Sequence, residues 1–220
     1  MKLLLVDFDG ILGNFDRYLY RKSRPNHPAL KNVPDTYMNK LLDYRCIEGF
    51  DFFKAFSEFP ISWPGETDII PGSREFLATA RAAGVKIVIL TSVPEKSGIY
   101  RLRQMVREGL YFDEAYFTMG HKKSEFVNTL LERHDPHTAV FIDDLAKNAI
   151  DVAENCAGVD VVTCDIPYNH ATFETADPET LERMSIVCHV PEDMEATARA
   201  MHRRALACLG LSTLVQESIA

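Results

Sequence analysis

What this sequence has little of narrows its reading before any motif is considered. It holds only five cysteines, Cys46, Cys156, Cys164, Cys188 and Cys208, odd in number, scattered and without a C-x-x-C pair. That spacing argues against a disulfide framework or a zinc site and suits reduced thiols packed as small core residues. Long apolar runs are missing as well. Residues 1–6 are apolar except Lys2 but meet Asp7 at once, too short a run for a signal peptide or a membrane-spanning helix. The protein is therefore expected to stay in the cytoplasm, with no membrane partner. Basic excess is also lacking: 24 Lys and Arg stand against 32 Asp and Glu, a formal charge of −8. Such a chain does not offer a general surface for phosphate backbones, so no nucleic-acid polymer is expected as a partner. A local basic pocket for one phosphate is still allowed.

What is present is a regular pattern with one interruption. Residues 3–6 form a short apolar strand of the kind buried on both faces in a parallel sheet. Residues 13–70 are different in kind, rich in aromatics, charges and prolines, with helical patches near Asp35–Arg45 and Glu48–Phe59. From Ser73 onward the pattern alternates: a helix over 73–83 stopped by Gly84, a strand over 85–90, a helix over 96–108, a short strand over 115–118 and a helix over 124–133. A strand over 138–142, a helix over 147–156 and a strand over 159–163 complete it. Alternation of this kind predicts an α/β fold with a parallel sheet covered by helices on both faces. A last amphipathic helix is expected over 191–209, its Met194, Ala198, Met201, Ala205 and Leu209 serving as a packing surface or a homodimer face.

In an open parallel sheet, ligands bind beyond the carboxyl ends of the strands. Asp7 and Asp9 follow the first strand, Thr91 and Ser92 the second, His121, Lys122 and Lys123 the third, and Asp143 and Asp144 the fourth, with Asn148 one turn on. Carboxylates, a hydroxyl and an amine gathered at one edge suit phosphoryl transfer. Crowded aspartates need a cation between them, and an all-oxygen ligand set suits Mg²⁺. Lysine and a serine or threonine would hold the remaining phosphate oxygens. The turn at Gly10 would let both Asp7 and Asp9 approach one phosphorus, one as nucleophile and the other as general acid and base.

The strings Asp7-Phe-Asp-Gly-Ile, Thr91-Ser92, Lys122/Lys123 and Asp143-Asp144-x-x-x-Asn148 resemble the four ordered motifs of the haloacid dehalogenase superfamily, over roughly residues 1–12 and 70–165. The resemblance implies a Rossmann-like core and a phosphohydrolase. Asp7 would be nucleophile and metal ligand, and Asp9 the acid/base with its main-chain carbonyl on the metal. Thr91 and the amide of Ser92 would clasp the phosphate. Asp144 would be the second carboxylate on Mg²⁺, with Asp143 in its inner or outer shell. Either lysine could fill the third motif. Phe126, Val127 and Leu130 fall three, four and seven residues after Lys123, which favours Lys123 over Lys122. Leu5-Val-Asp-Phe-Asp-Gly, Ile70-Pro-Gly-Ser, Ile89-Leu-Thr-Ser-Val-Pro, Phe141-Ile-Asp-Asp and Ile166-Pro-Tyr-Asn are similar more narrowly to the 5′(3′)-deoxyribonucleotidase branch. That likeness implies a core made of 1–12 and 71–177, a small helical cap at 13–70, a C-terminal helical extension at 178–220 and a mononucleotide substrate. Phe50, Phe52, Phe53, Phe56 and Trp63 of the cap would be the candidates to stack on a base.

Each motif has a plain counterpart. Asp-x-Asp-Gly is also a calcium-loop opening, but the fifth, sixth and twelfth positions here are Ile11, Leu12 and Tyr18, which rules that out. Asp143-Asp144 alone is a helix cap and Lys122-Lys123 alone a solvated pair. Phenylalanines at helical spacing are usually core. The histidines form no metal-ligand spacing: His134 and His137 read as surface residues, and His121 is the one placed to reach a phosphate. Rivals to a nucleotidase are a sugar-phosphate or nucleic-acid-end phosphatase, a phosphotransferase, and a non-catalytic binding protein of the same fold.

Overall fold

The computed structural model describes residues 1–31, 47–190 and 193–211. The helical patch expected near Asp35–Arg45 and Cys46 lie outside the described residues. In chain order the elements are β1 (Lys2–Val6), β2 (Gly13–Asn14), α1 (Phe15–Ser23), α2 (Phe52–Ser57), β3 (Asp68–Ile69) and α3 (Ser73–Ala82). Next come β4 (Lys86–Thr91), α4 (Glu95–Arg107), β5 (Glu114–Phe117), α5 (Lys123–His134), β6 (Thr138–Ile142) and α6 (Ala146–Asn155). The chain ends in β7 (Val159–Asp165), α7 (His170–Phe173), α8 (Pro178–Glu182), β8 (Met184–Cys188) and α9 (Met194–Cys208).

Six strands form one parallel sheet in the order β5-β4-β1-β6-β7-β8. The alternation along β1 explains the layers. Leu4 and Val6 face one side with Phe76, Leu77 and Ala80 of α3 and Met194, Met201 and Ala205 of α9. Leu3 and Leu5 face the other with Val127 and Leu130 of α5 and Ala149 and Val152 of α6. All four β1 side chains are completely buried, which stabilises the fold by about 1.5–3 kcal/mol each. The expected α/β class is what the structure has. No helix among the described residues is long and apolar enough to cross a membrane. The four described cysteines are unpaired thiols.

Two features differ from expectation. Residues 178–211 are not purely helical: β8 pairs with β7 and makes a sixth strand. Its half-buried edge position gave Ile186 and Val187 too weak an apolar signal to stand out. The expected packing surface of α9 is found: Ala198, Met201 and Ala205 are fully buried against the sheet of the same chain. The other difference is α1, where the charges of Asp16, Arg17, Arg21 and Lys22 masked the buried Tyr18, Leu19 and Tyr20. Its start is fixed by Asn14, whose Oδ1 accepts from the Arg17 N–H at 2.9 Å.

The chain runs out along β2 and returns along β3, and the two strands lie side by side. Gly13 and Asn14 pair antiparallel with Ile69 and Asp68, and Arg17 at the base of α1 reaches Glu195 of α9 at 2.5 Å. Behind that junction sits His202 of α9. It stacks on Phe76 with ring centroids 4.3 Å apart, and its Nε2 donates to the Ile11 carbonyl at 2.9 Å, as a neutral imidazole must. Burial pushes its pKa down from 6.5 to about 4. The unfolded chain therefore binds a proton that the folded chain refuses between those values, so stability is full above pH 6.5 and falls as pH drops toward 4. The loss should approach about 3 kcal/mol relative to His202→Gln, which keeps a donor but does not titrate. Denaturant unfolding of both proteins from pH 7.5 to 4.5 checks this; parallel curves would remove His202 as the cause.

Candidate active site

The sheet register places the polar residues. Val6 lies level with Ile89 of β4 and Ile142 of β6, so Asp7 and Asp143 follow adjacent strand ends and Thr91 ends the third. The ladder continues just past the strands: the Asp7 amide donates to Ile142 at 2.9 Å and the Asp143 amide to Val162 at 3.2 Å. Beyond Asp7 the chain folds back tightly. The amides of Leu12 and Gly13 both donate to the Phe8 carbonyl at 2.8 Å. Gly10 turns at φ 79°, and a side chain there would collide with the Asp144 carboxylate. That glycine is what lets Asp144 stand against the loop.

Oxygens of Asp7, Asp143 and Asp144 lie within 4.8 Å of one another, all three residues buried. Lys123 is the cation among them. Its Nζ donates to Asp143 Oδ2 at 2.6 Å and lies 2.7 Å from Asp7 Oδ1. Burial opposes the ammonium, but Asp143 and Asp7 outweigh it and the lysine is held firmly charged. Asp143 is otherwise well bonded, by the Leu145 amide at 2.9 Å and by Asn148 Nδ2 at 3.1 and 3.2 Å. Asp144 is less so: Tyr168 donates its hydroxyl to Oδ2. Burial, then Asp143 and Asp7, raise the Asp144 pKa well above the carboxylate range. Asp7 is raised to about 7, chiefly by burial, with Lys123 pulling the other way. Three carboxylates against one ammonium leave a surplus of buried negative charge, the condition that a divalent cation relieves.

The other expected residues divide. Thr91 is completely buried and its Oγ1 has no hydrogen-bond partner among the described residues. Ser92 is exposed, with Oγ 3.4 Å from Thr118 Oγ1. Lys122 is not brought to the cluster: it is exposed and 3.8 Å from Asp151. His121 is exposed beside Phe126. The Asp9 side chain stands apart from the three clustered carboxylates, gripped by Arg101, whose NH2 lies 2.8 and 2.9 Å from its two oxygens. Burial raises its pKa although Arg101 opposes the shift. Two buried groups were not anticipated. Arg101 is one. The other is Asp16 of α1, whose Oδ1 no donor among the described residues reaches and whose pKa burial, then Asp9, raise to about 8. Of the aromatics, Phe50 packs with Tyr20 and Leu30, Trp63 is buried with Tyr18, and Phe53 is 80 % exposed. Phe15, Phe56 and Phe59 are half-buried around Trp63, at 5.2, 5.6 and 6.4 Å between rings.

No protein-family model matches the sequence, and no curated protein matches it. Solved structures do. A predicted phosphatase from Clostridium acetobutylicum superposes with a TM-score of 0.56 at 15 % identity, covering 94 % of this chain and 98 % of its own. A hydrolase of the haloacid dehalogenase-like family from Streptococcus pneumoniae gives 0.53 at 13 % identity, over 86 % and 94 % of the two chains. The chain has the haloacid dehalogenase fold. A proposed beta-phosphoglucomutase from Thermotoga maritima shares that fold at a TM-score of 0.52 and 22 % identity, over 90 % of this chain and 99 % of its own. On the haloacid dehalogenase fold of this chain, Asp7, Thr91, Lys123, Asp143 and Asp144 all sit at the carboxyl edge of the sheet, where ligands of open parallel sheets bind.

Proposed function

We propose that the protein is a Mg²⁺-dependent phosphomonoester hydrolase working through an aspartyl-phosphate on Asp7. What supports this most is the buried set of Asp7, Asp143, Asp144 and Lys123 beside the unpartnered Thr91 hydroxyl. An Asp7 oxygen attacks phosphorus, the ester P–O bond breaks, and the leaving oxygen takes a proton from Asp9. Water then attacks the same phosphorus, gives its proton to Asp9, and frees Asp7 and inorganic phosphate. Lys123 and Thr91 hold phosphate oxygens. Asp7, Asp144 and the Asp9 main-chain carbonyl, with Asp143 beside them, would hold the metal. When bound, Mg²⁺ supplies positive charge against the carboxylates and the phosphate oxygens.

For the substrate we favour a nucleoside monophosphate, because the half-buried Phe15, Phe56 and Phe59 form an aromatic wall in the insertion. A sugar phosphate is the second reading, supported by Asp16, a buried carboxyl with an oxygen free to accept from a substrate hydroxyl. Phosphate release from a panel of nucleoside and sugar monophosphates, with Mg²⁺ and with EDTA, separates the two. We expect metal-dependent release, fastest with nucleotides. Release from sugar phosphates alone would select the second reading, and release that survives EDTA would remove the metal from the mechanism.

A further inference from the structure

We propose that Arg101 is a positioning residue that holds the Asp9 carboxylate by both oxygens and ties its orientation to Thr67, in the segment returning from the insertion to the core. The inference rests on the reading of Asp9 as acid and base. Arg101 sits on α4 and is completely buried. One end of its fork grips Asp9, as given above. From the other, NH1 donates to Thr67 Oγ1 at 2.9 Å and to Gln104 Oε1 at 3.2 Å. Gln104 Nε2 in turn donates to the Thr67 carbonyl. The guanidinium carbon lies 3.7 Å from the centroid of Phe8, between Asp7 and Asp9, and 5.6 Å from that of Trp63 in the insertion.

A guanidinium is planar and stiff, so its two ends cannot move independently. Here one end touches the residue assigned to proton transfer and the other the segment that closes the insertion. With both Asp9 oxygens engaged, passing a proton requires the grip on one of them to loosen, and the place of Thr67 sets that grip. Lysine at this position would keep the charge but could not hold two oxygens and Thr67 together. A merely structural ion pair would affect all substrates alike. A positioning role affects those that need the proton.

The test compares kcat/KM for two esters in wild type, Arg101→Lys and Thr67→Val. One is the nucleotide or sugar phosphate that wild type cleaves best, whose alkoxide must be protonated to leave. The other is p-nitrophenyl phosphate, whose phenolate leaves unaided. Because general acid catalysis contributes about 10²–10⁴-fold, we expect Arg101→Lys to lower kcat/KM about 30-fold or more on the alkyl ester and under about 5-fold on the aryl ester. Thr67→Val, which removes one hydroxyl and serves alone if Arg101→Lys does not fold, should show the same imbalance at about 3–10-fold. Equal losses on both esters in an active, Asp7-dependent enzyme would overturn the positioning role alone. A wild type that cleaves neither ester overturns the proposed reaction and this role with it.

Discussion

Asp7→Asn should lower phosphate release from any substrate by at least about 10⁴-fold, the scale on which loss of an enzymatic nucleophile is felt. The same variant should be no less stable than wild type, and in EDTA at pH 8 more so. Asp7 is buried beside Asp143 and Asp144, and burial chiefly holds its pKa near 7 against 3.8 in the unfolded chain. A carboxyl raised in this way binds its proton more tightly when folded, so ionising it as pH rises through 7 costs stability. Asparagine keeps the shape and cannot ionise. Thermal melts in EDTA beside a phosphate-release assay check both halves. A variant retaining more than about a hundredth of the wild-type rate would place the nucleophile elsewhere. A melt lowered by several degrees would show that the Asp7–Lys123 pair is a net stabiliser.

Lys123→Met should do the opposite to stability. The ammonium is 1 % exposed and is the counter-charge within ion-pair distance of Asp7 and Asp143. Removing one partner of a buried ion pair costs about 3–5 kcal/mol because the other is left uncompensated, and here two carboxylates are left. Turnover should fall about 10²–10³-fold, the range for loss of one preorganised charge-stabilising group. The informative measurement is the Mg²⁺ dependence of the melt. Wild type should be stabilised by Mg²⁺, by about 2.7 kcal/mol at a hundred times its dissociation constant, and the variant by more, since the ion replaces the missing positive charge. Equal shifts would mean that the ion does not stand in for Lys123, and no shift in either protein that the cluster does not bind the metal.

Much of this was legible because its residues follow apolar runs. Asp7 after Leu3–Val6, Thr91 after Val85–Leu90 and Asp143 after Thr138–Ile142 announce both a strand and its end, and a parallel sheet puts such ends together. Lys123 was favoured over Lys122 from the helical spacing of Val127 and Leu130, and it is the buried lysine of the two. Arg101 was hidden for a physical reason. It is one of several cations on an amphipathic helix with Arg103 and Arg107, and long basic residues usually lie in solvent. The overlooked signal is spacing: Arg101 falls on the stripe of Ser97, Gly98, Gln104 and Met105, the face of α4 turned inward. A charge on the buried stripe needs a buried partner. Asp16 carried the same signal, on the stripe of Leu19, Tyr20 and Ser23 along α1, but Arg17, Arg21 and Lys22 on the same short helix obscured it.

The place of β1 has a consequence for how the molecule is made. Its neighbours are β4 and β6, so Leu3 waits for Lys86 to pair one of its edges and for Ala139 to pair the other. These are among the most distant pairings in the sheet, and distant pairings close late and slowly. The strand that presents Asp7 is thus translated before both its neighbours and completed only when β6 arrives. No partly folded chain lacking β6 can carry Asp143 beside Asp7, so the chemistry can switch on only when the last of these central strands docks. Amide exchange in β1 should accordingly proceed only through global unfolding, and any intermediate on the folding path should be inert.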